Sequence, residues 1–296
     1  IYFVTSPTTP HEEVQANGDF TPLRPTEHHK HLFADVEVPR ASHFDPAVQD
    51  KVSWLKDLSL LLASDTEYLD FMYRQRLRSL QATDELVDAV FKNFEENNLV
   101  ENTYFAYTTD NGFHLGHHQP KAGKSLAYED DMNLPLIIRR LGIAKNATRT
   151  NPGTHSHFPV TILDLTGIPR PSDLDATSPF DPDHTESFNL EYWQAPSRGM
   201  IEGVSTDMVT DKYQLKNLYN RTDSNFLNRL DALLSMLYNC KGEVCKFPRA
   251  TLHKDGKVKS LKDALKPKYD AYYRSLPKFR FLKCKFYFDA DNEGTS

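Results

Sequence analysis

The sequence predicts an α/β protein: a layered sheet flanked by helices, with a smaller α+β region after it. Three observations carry that prediction. A capped amphipathic helix at 66–97 runs into a β-rich stretch at 102–109. A second apolar strand, Leu134-Pro135-Leu136-Ile137-Ile138, precedes a helix at 157–166. Both strands are continuously apolar, as strands covered on two faces are. Ligands of such sheets lie beyond the carboxyl ends of strands, and Asp110-Asn111-Gly112 stands at one such end.

Ile1-Tyr2-Phe3-Val4 reads as a buried strand over 1–5; with no basic flank it is not a signal peptide. Residues 6–41 hold five prolines and four histidines without periodicity, so they read as loop. A loop of that length is usually functional or poorly ordered. A helix is expected over about 45–62. Ser64-Asp65-Thr66-Glu67 forms a capping box that opens the long helix. Tyr73, Leu77, Leu80, Val87, Phe91 and Phe94 make its apolar stripe. Asp84 falls within that stripe and reads as a buried carboxylate bonded to a neighbouring loop. Asn97 and Asn98 suit the stop.

After Pro169 the chain turns polar and proline-rich, which divides it into residues 1–180 and 181–296. The second region offers a strand at about 187–192, a helix at about 224–238 and a cysteine-bearing loop. Its aromatic and basic stretch at 276–288 suits a packed strand or a pocket wall.

With 296 residues, 39% of them hydrophobic, the chain can bury a sizeable core. A net charge of −6 argues against nucleic acid or an anionic membrane as main partner. No apolar run approaches the roughly 20 residues of a membrane span. Cys240 and Cys245 could be a local disulfide, a partial metal site or two thiols. The lack of histidine or cysteine partners at zinc spacing favours the disulfide, and Cys284 stands apart. Sequons at Asn146-Ala147-Thr148 and Asn220-Arg221-Thr222 agree with a secretory route.

Asp110 and Asn111 place a carboxylate beside an amide oxygen, which suits Ca²⁺ or Mg²⁺. The same triplet with Gly112 is strong turn chemistry, and both readings stand. Lys124 can neutralise charge on a sulfuryl or phosphoryl group; without context it is a surface lysine. Tyr128, Glu129, Asp130 and Asp131 are supporting groups or a solvated acidic face. His114, His117 and His118 cluster after the metal candidate, and His11 follows the first strand. A histidine beside a cleaved ester oxygen can act as acid or anion donor. His28, His29 and His31 have no spacing that defines a ligand set.

In this order the pieces resemble the sulfatases of the alkaline phosphatase superfamily. Ser6-Pro7-Thr8-Thr9-Pro10-His11 resembles the family's strand–Pro-His element. Thr108-Thr109-Asp110-Asn111-Gly112-Phe113-His114-Leu115-Gly116, then Gly123-Lys124 with Tyr128-Glu129, then Leu134 to Arg139, is similar to its second signature block. Tyr213-Gln214-Leu215-Lys216-Asn217-Leu218 resembles a late strand segment. The cysteine loop is similar to that of fungal-type arylsulfatases, near the N-acetylglucosamine-6-sulfatase branch.

The resemblance implies an alkaline-phosphatase-like sheet, incomplete at its N-terminus. It implies metal ligation by Asp110 and Asn111, with Ca²⁺ expected and Mg²⁺ as the alternative. Lys124 contacts the sulfate, His11 sits at the sulfate or leaving-group oxygen, and His114 is a further catalytic candidate. The expected substrate is a sulfated small molecule or glycan, and the expected location secreted or endolysosomal. The family's nucleophile is a formylglycine made from Cys or Ser in C/S-x-P-x-R. Two stretches come near it. Gln194-Ala195-Pro196-Ser197-Arg198 offers Gln at the nucleophile position, and Cys245-Lys246-Phe247-Pro248-Arg249 places Pro one residue late. Both also follow the metal strand instead of preceding it. Glu12-Glu13 and Leu141-Gly142 depart from the family's Pro and Gly-Pro-Gly. The reading is therefore a sulfuric ester hydrolase whose nucleophile segment is not in this sequence, expected to be inactive alone and to self-associate through an exposed sheet edge. A phosphodiesterase or phosphonate hydrolase of the superfamily, or a truncated pseudoenzyme, is the alternative.

Overall fold

The computed structural model describes residues 2–51, 53–140, 142–148, 153–178, 211–218, 221–238, 240–281 and 293–295. The chain forms two compact units, Ile1–Lys145 with Thr206–Lys216, and Asn146–Ser205 with Asn217–Ser296.

In the first unit β1 (Glu13–Val14) pairs antiparallel with β2 (Phe20–Thr21). Tyr2, Phe3 and Val4 belong to no strand and are exposed, so the expected buried strand is not formed there. Among the described residues of 45–62, the helical structure is the 3-10 turn Ser53–Asp57 in place of the expected helix. The α1 helix (Ala63–Glu96) starts one turn earlier than the capping box predicts. Asp65 supplies the N-terminal cap, accepting from the Leu62 N–H at 3.2 Å.

The buried face of α1 carries Leu69, Asp70, Met72, Ser79 and Thr83. It is rotated from the predicted stripe: Val87 is exposed, and so is Asp84. The buried carboxylate of this helix is Asp70, which accepts from the Val38 N–H at 2.9 Å and from Arg40 Nη2 at 2.6 Å. Leu69 and Met72 join Leu23, Val38 and Leu115 in the core of this unit.

The run Arg74-Gln75-Arg76-Leu77-Arg78 explains how a long irregular segment packs. Arg74 donates to the Val36 carbonyl, Gln75 to Leu23, Arg76 to Pro10 and Arg78 to Leu32, at 2.7–3.2 Å. Backbone carbonyls of the irregular segment are satisfied by closely spaced side chains of one helix.

β3 (Phe105–Tyr107), β4 (His114–Leu115), β5 (Ala122–Gly123), α2 (Glu129–Met132) and β6 (Ile137–Arg139) follow. β3 pairs with β6, Ala106 opposite Ile138, and β4 with β5, His114 opposite Gly123. Both ladders are antiparallel, and the strands are short, so among the described residues the sheet is a set of strand pairs. Residues 211–216 return to this unit as a turn around Asp211, which accepts the N–H groups of Leu215 and Lys216.

In the second unit, α3 (His157–Thr166) and α4 (Ser224–Leu237) lie where the periodicity predicts helices. Asp223 caps α4 through the N–H groups of Asn225 and Phe226. Short helices α5 (Glu243–Lys246), α6 (Pro248–Leu252), α7 (Leu261–Ala264) and α8 (Asp270–Ser275) surround a small core of Ala232, Val258, Ala264 and Tyr273. β7 (Phe279–Phe281) pairs antiparallel with β8 (Glu293–Thr295). Cys240 and Cys245 form the local disulfide. The expected strand at 187–192, the 194–198 stretch, Asn220 and Cys284 lie outside the described residues.

Candidate functional site

β3 ends at Tyr107, and the chain turns through Thr109-Asp110-Asn111-Gly112 into β4. The turn is self-bonded: Asp110 Oδ1 accepts the Asn111 N–H at 2.9 Å, and Asn111 Nδ2 donates to the Gly112 carbonyl at 2.7 Å. So the turn chemistry is real, and it leaves oxygens of Asp110 and Asn111 on the same loop. Gly112 is required here. Its N–H meets the Asp131 carbonyl at 2.9 Å, and a Cβ would stand 2.0 Å from the Asp130 carbonyl oxygen.

Lys124 follows β5 directly. Its Nζ lies 3.2 Å from Asn111 Oδ1 and 3.4 Å from His11 Nε2. The Glu12 carbonyl, 2.7 Å from His11 Nδ1, can only accept. Nδ1 therefore carries the hydrogen, and Nε2 turns its lone pair to the ammonium. His11, Asp110 and Lys124 are all exposed, so this group opens to solvent. Lys121, the neighbouring basic candidate, pairs with Asp65 at 2.7 Å at the start of α1.

His114 does not join the exposed group. It is 5% exposed, and its Nδ1 stands 2.9 Å from Asp131 Oδ1. Asp131 also accepts from the Leu126 N–H at 2.7 Å. A Cβ on Gly123 would lie 3.1 Å from His114 Nε2, so this imidazole backs directly onto the strand that presents Lys124.

Two contributors, Arg76 and His43, were not singled out by sequence reasoning. Arg76 donates to the Pro10 carbonyl at 2.8 Å and stacks over the Phe113 ring, 4.1 Å from its centroid. It thereby joins the residue before His11 to the strand after Gly112. Burial pushes its guanidinium down to about 10, against the pull of Glu12, so it is still charged at neutral pH. His43 packs on His117 and Tyr213, with ring centroids at 4.5 and 4.7 Å. Asp130 faces His43, His117 and His118. Burial pushes its carboxyl up, but the hydrogen bond from His43 and the neighbouring imidazoles outweigh it and hold the group below its ordinary value. Burial pushes His118, stacked 3.7 Å from Tyr128, down to about 3 and Tyr128 up to about 12. The Arg-rich run on α1 was the one available signal for Arg76; nothing in the sequence pairs His43 with Asp130. His28 and His29 share Glu85, at 3.3 and 3.0 Å.

Asp110 and Asn111 offer hard oxygens, the donor type that calcium or magnesium prefers, but only two of the roughly six to eight that calcium takes. Their oxygens fit such a cation as part of a larger ligand set.

The family model described as Sulfatase matches residues 19–168. The chain belongs to the sulfatase family. An arylsulfatase of Volvox carteri is 31% identical, over 99% of this chain and 56% of the relative. Sulfatase ppz1 of Metarhizium majus is 33% identical, over 98% of this chain and 72% of that protein. The human N-acetylglucosamine-6-sulfatase is 25% identical over 73% of this chain and 50% of its own length. The chain thus spans little more than half the length of the algal relative, at 56%. The structure of BT4656 in complex with its substrate D-glucosamine-2-N,6-O-disulfate shares the fold, with a TM-score of 0.50 at 21% identity, over 70% of this chain and 45% of that one. The small sheets and helices of the described residues are thus an α/β domain of the sulfatase type. No described helix is long and apolar enough to cross a membrane.

Proposed function

We propose that this chain supplies the metal- and anion-binding part of a sulfuric ester hydrolase that cleaves sulfate monoesters. The observation that carries this reading is the position of Lys124 Nζ, between Asn111 Oδ1 and His11 Nε2 at 3.2 and 3.4 Å. Calcium held by Asp110 and Asn111 as part of a larger oxygen set would withdraw charge from a sulfate oxygen. The chain's own residues do the rest. The Lys124 ammonium donates to the anion, and Asn111 Oδ1 holds it in place. His11 Nε2 accepts from that ammonium, and the imidazole, once protonated there, would donate that proton to a departing ester oxygen. Arg76 fixes His11 through the Pro10 carbonyl. His114 acts from behind, by seating Gly123.

The substrate class we propose is a sulfated aryl compound or glycan. Relatives named arylsulfatase and N-acetylglucosamine-6-sulfatase support it. A secretory route is supported by the Cys240–Cys245 disulfide, the exposed Asn146 sequon and a relative named extracellular sulfatase. No C/S-x-P-x-R motif stands in these residues, and we expect no turnover of an aryl sulfate by this chain alone.

The test is calorimetric titration of inorganic sulfate in calcium buffer. Lys124→Ala should weaken binding about tenfold or more, the scale of one charge-assisted hydrogen bond. Asp110→Asn should remove the calcium dependence. Sulfate binding that is indifferent to both variants would sink the reading. Preference for phosphate over sulfate would point to phosphoryl esters, and robust aryl sulfate turnover would overturn the expectation of inactivity.

A further inference from the structure

Beside the α2 turn, three imidazoles converge on one carboxylate. His43 Nε2 lies 3.2 Å from Asp130 Oδ2, His117 Nδ1 3.7 Å from Oδ1, and His118 Nε2 3.9 Å from Oδ2. His43 and His118 are 8% and 1% exposed. Asp130 Oδ2 is nonetheless a buried oxygen that accepts no hydrogen bond, and His43 Nδ1 is a buried nitrogen without a partner. Buried polar atoms are normally satisfied, and an unanswered carboxylate oxygen is costly. His117 Nδ1 accepts from the Leu115 N–H at 3.3 Å, so the unanswered atoms of the cluster are Asp130 Oδ2 and His43 Nδ1.

Ligand atoms of His43, His117 and Asp130 all lie within 4.8 Å of one another. Tetrahedral zinc with bonds near 2.0–2.1 Å sets its ligand atoms about 3.3 Å apart. The His43–Asp130 pair already meets that spacing, and the other gaps close by roughly an ångström or so through side-chain rotation. Imidazole nitrogen with one carboxylate suits zinc, not the all-oxygen shell of calcium.

We propose that His43, His117 and Asp130 bind a divalent cation of the zinc class. The site is separate from Asp110 and Asn111 and independent of the function proposed for them. It would tie residues 41–46, which meet the β4–β5 hairpin through the Phe44–His117 bridge, to α2. α2 in turn carries the carbonyls that hold Gly112 and Phe113.

The test uses the untagged 296-residue chain, stripped with chelator and titrated with Zn²⁺. One equivalent should bind and raise the melting temperature. His43→Gln and Asp130→Asn should each weaken binding by more than the roughly 10–100-fold that losing an outer partner costs. Asp110→Asn should leave zinc binding unchanged, and so should Glu85→Gln, which dismantles the more exposed His28–His29–Glu85 group. Zinc binding equal in wild type and His43→Gln, or none in wild type, overturns the proposal. Should a variant not fold, cobalt substitution of the wild type decides. The intense visible absorption of four-coordinate Co²⁺ supports the site, and a pale six-coordinate spectrum refutes it.

Discussion

A carboxylate with 2% of its side chain exposed needs its charge answered inside the protein. Asp131 finds that answer in the His114 ring and the Leu126 N–H, while its carbonyl receives the Gly112 N–H. One residue therefore sets the spacing between the Asp110–Asn111 turn and the Lys124 loop. Asp131→Ala should cost about 3–5 kcal/mol, the scale of removing one partner from a buried pair. Urea unfolding would measure it, and a loss below about 1 kcal/mol would show that the pair bears little. This role was not readable beforehand. Tyr128-Glu129-Asp130-Asp131 looks like a solvated acidic run, because sequence alone does not say which of two adjacent acids turns inward. Asp110, Asn111 and Lys124 could be picked out, since each carries its chemistry in residue type and spacing.

At the scale of elements, α3 and α4 were legible in their apolar spacing, and the structure adds the Asp223 cap of α4. The long α1 was legible as a helix but not in its orientation. Its buried face includes Asp70, Ser79 and Thr83, which a hydrophobic stripe does not register. The short α7 offers a cleaner electrostatic test. Asp263 is held down to about 2 by the Lys266 ammonium, the Lys259 N–H and the Ser260 hydroxyl, in that order. Its unfolded carboxyl titrates near 3.8. Its contribution to stability is thus present above about pH 3.8 and disappears as pH falls through about 2. Melting temperatures of wild type and Asp263→Asn should converge over that acid window. Curves that stay parallel from neutral pH to about pH 2 would contradict it.

For the molecule as a whole, exposed apolar side chains occur at several places, Tyr2, Phe3 and Val4 among them, and the β3–β6 pair with the residue before it carries one such set. Leu136 is 51%, Ile137 60% and Tyr107 41% exposed. A short antiparallel ribbon with such a face invites pairing with another copy. Light scattering on the 296-residue chain should therefore report species larger than a monomer, and Ile137→Lys should shift them toward the monomer. A monodisperse wild-type monomer would refute this. The layered α/β class was legible from the order of helix and strand. The pairing was not: continuously apolar strands suggested a doubly covered sheet, whereas β3 and β6 form an antiparallel pair.

The row of Arg74, Gln75, Arg76 and Arg78 along α1 has a consequence for inheritance. Its bonds end on carbonyl oxygens of Pro10, Leu23, Leu32 and Val36, and every amino acid supplies that same oxygen. The receiving segment is thereby released from having to keep particular side chains at those points, while the helix is not. A saturation library should show the asymmetry directly, with many letters accepted at Leu32 and Val36 and few at Arg76 and Arg78. Drift would write its history into the loop and leave the helix almost unchanged.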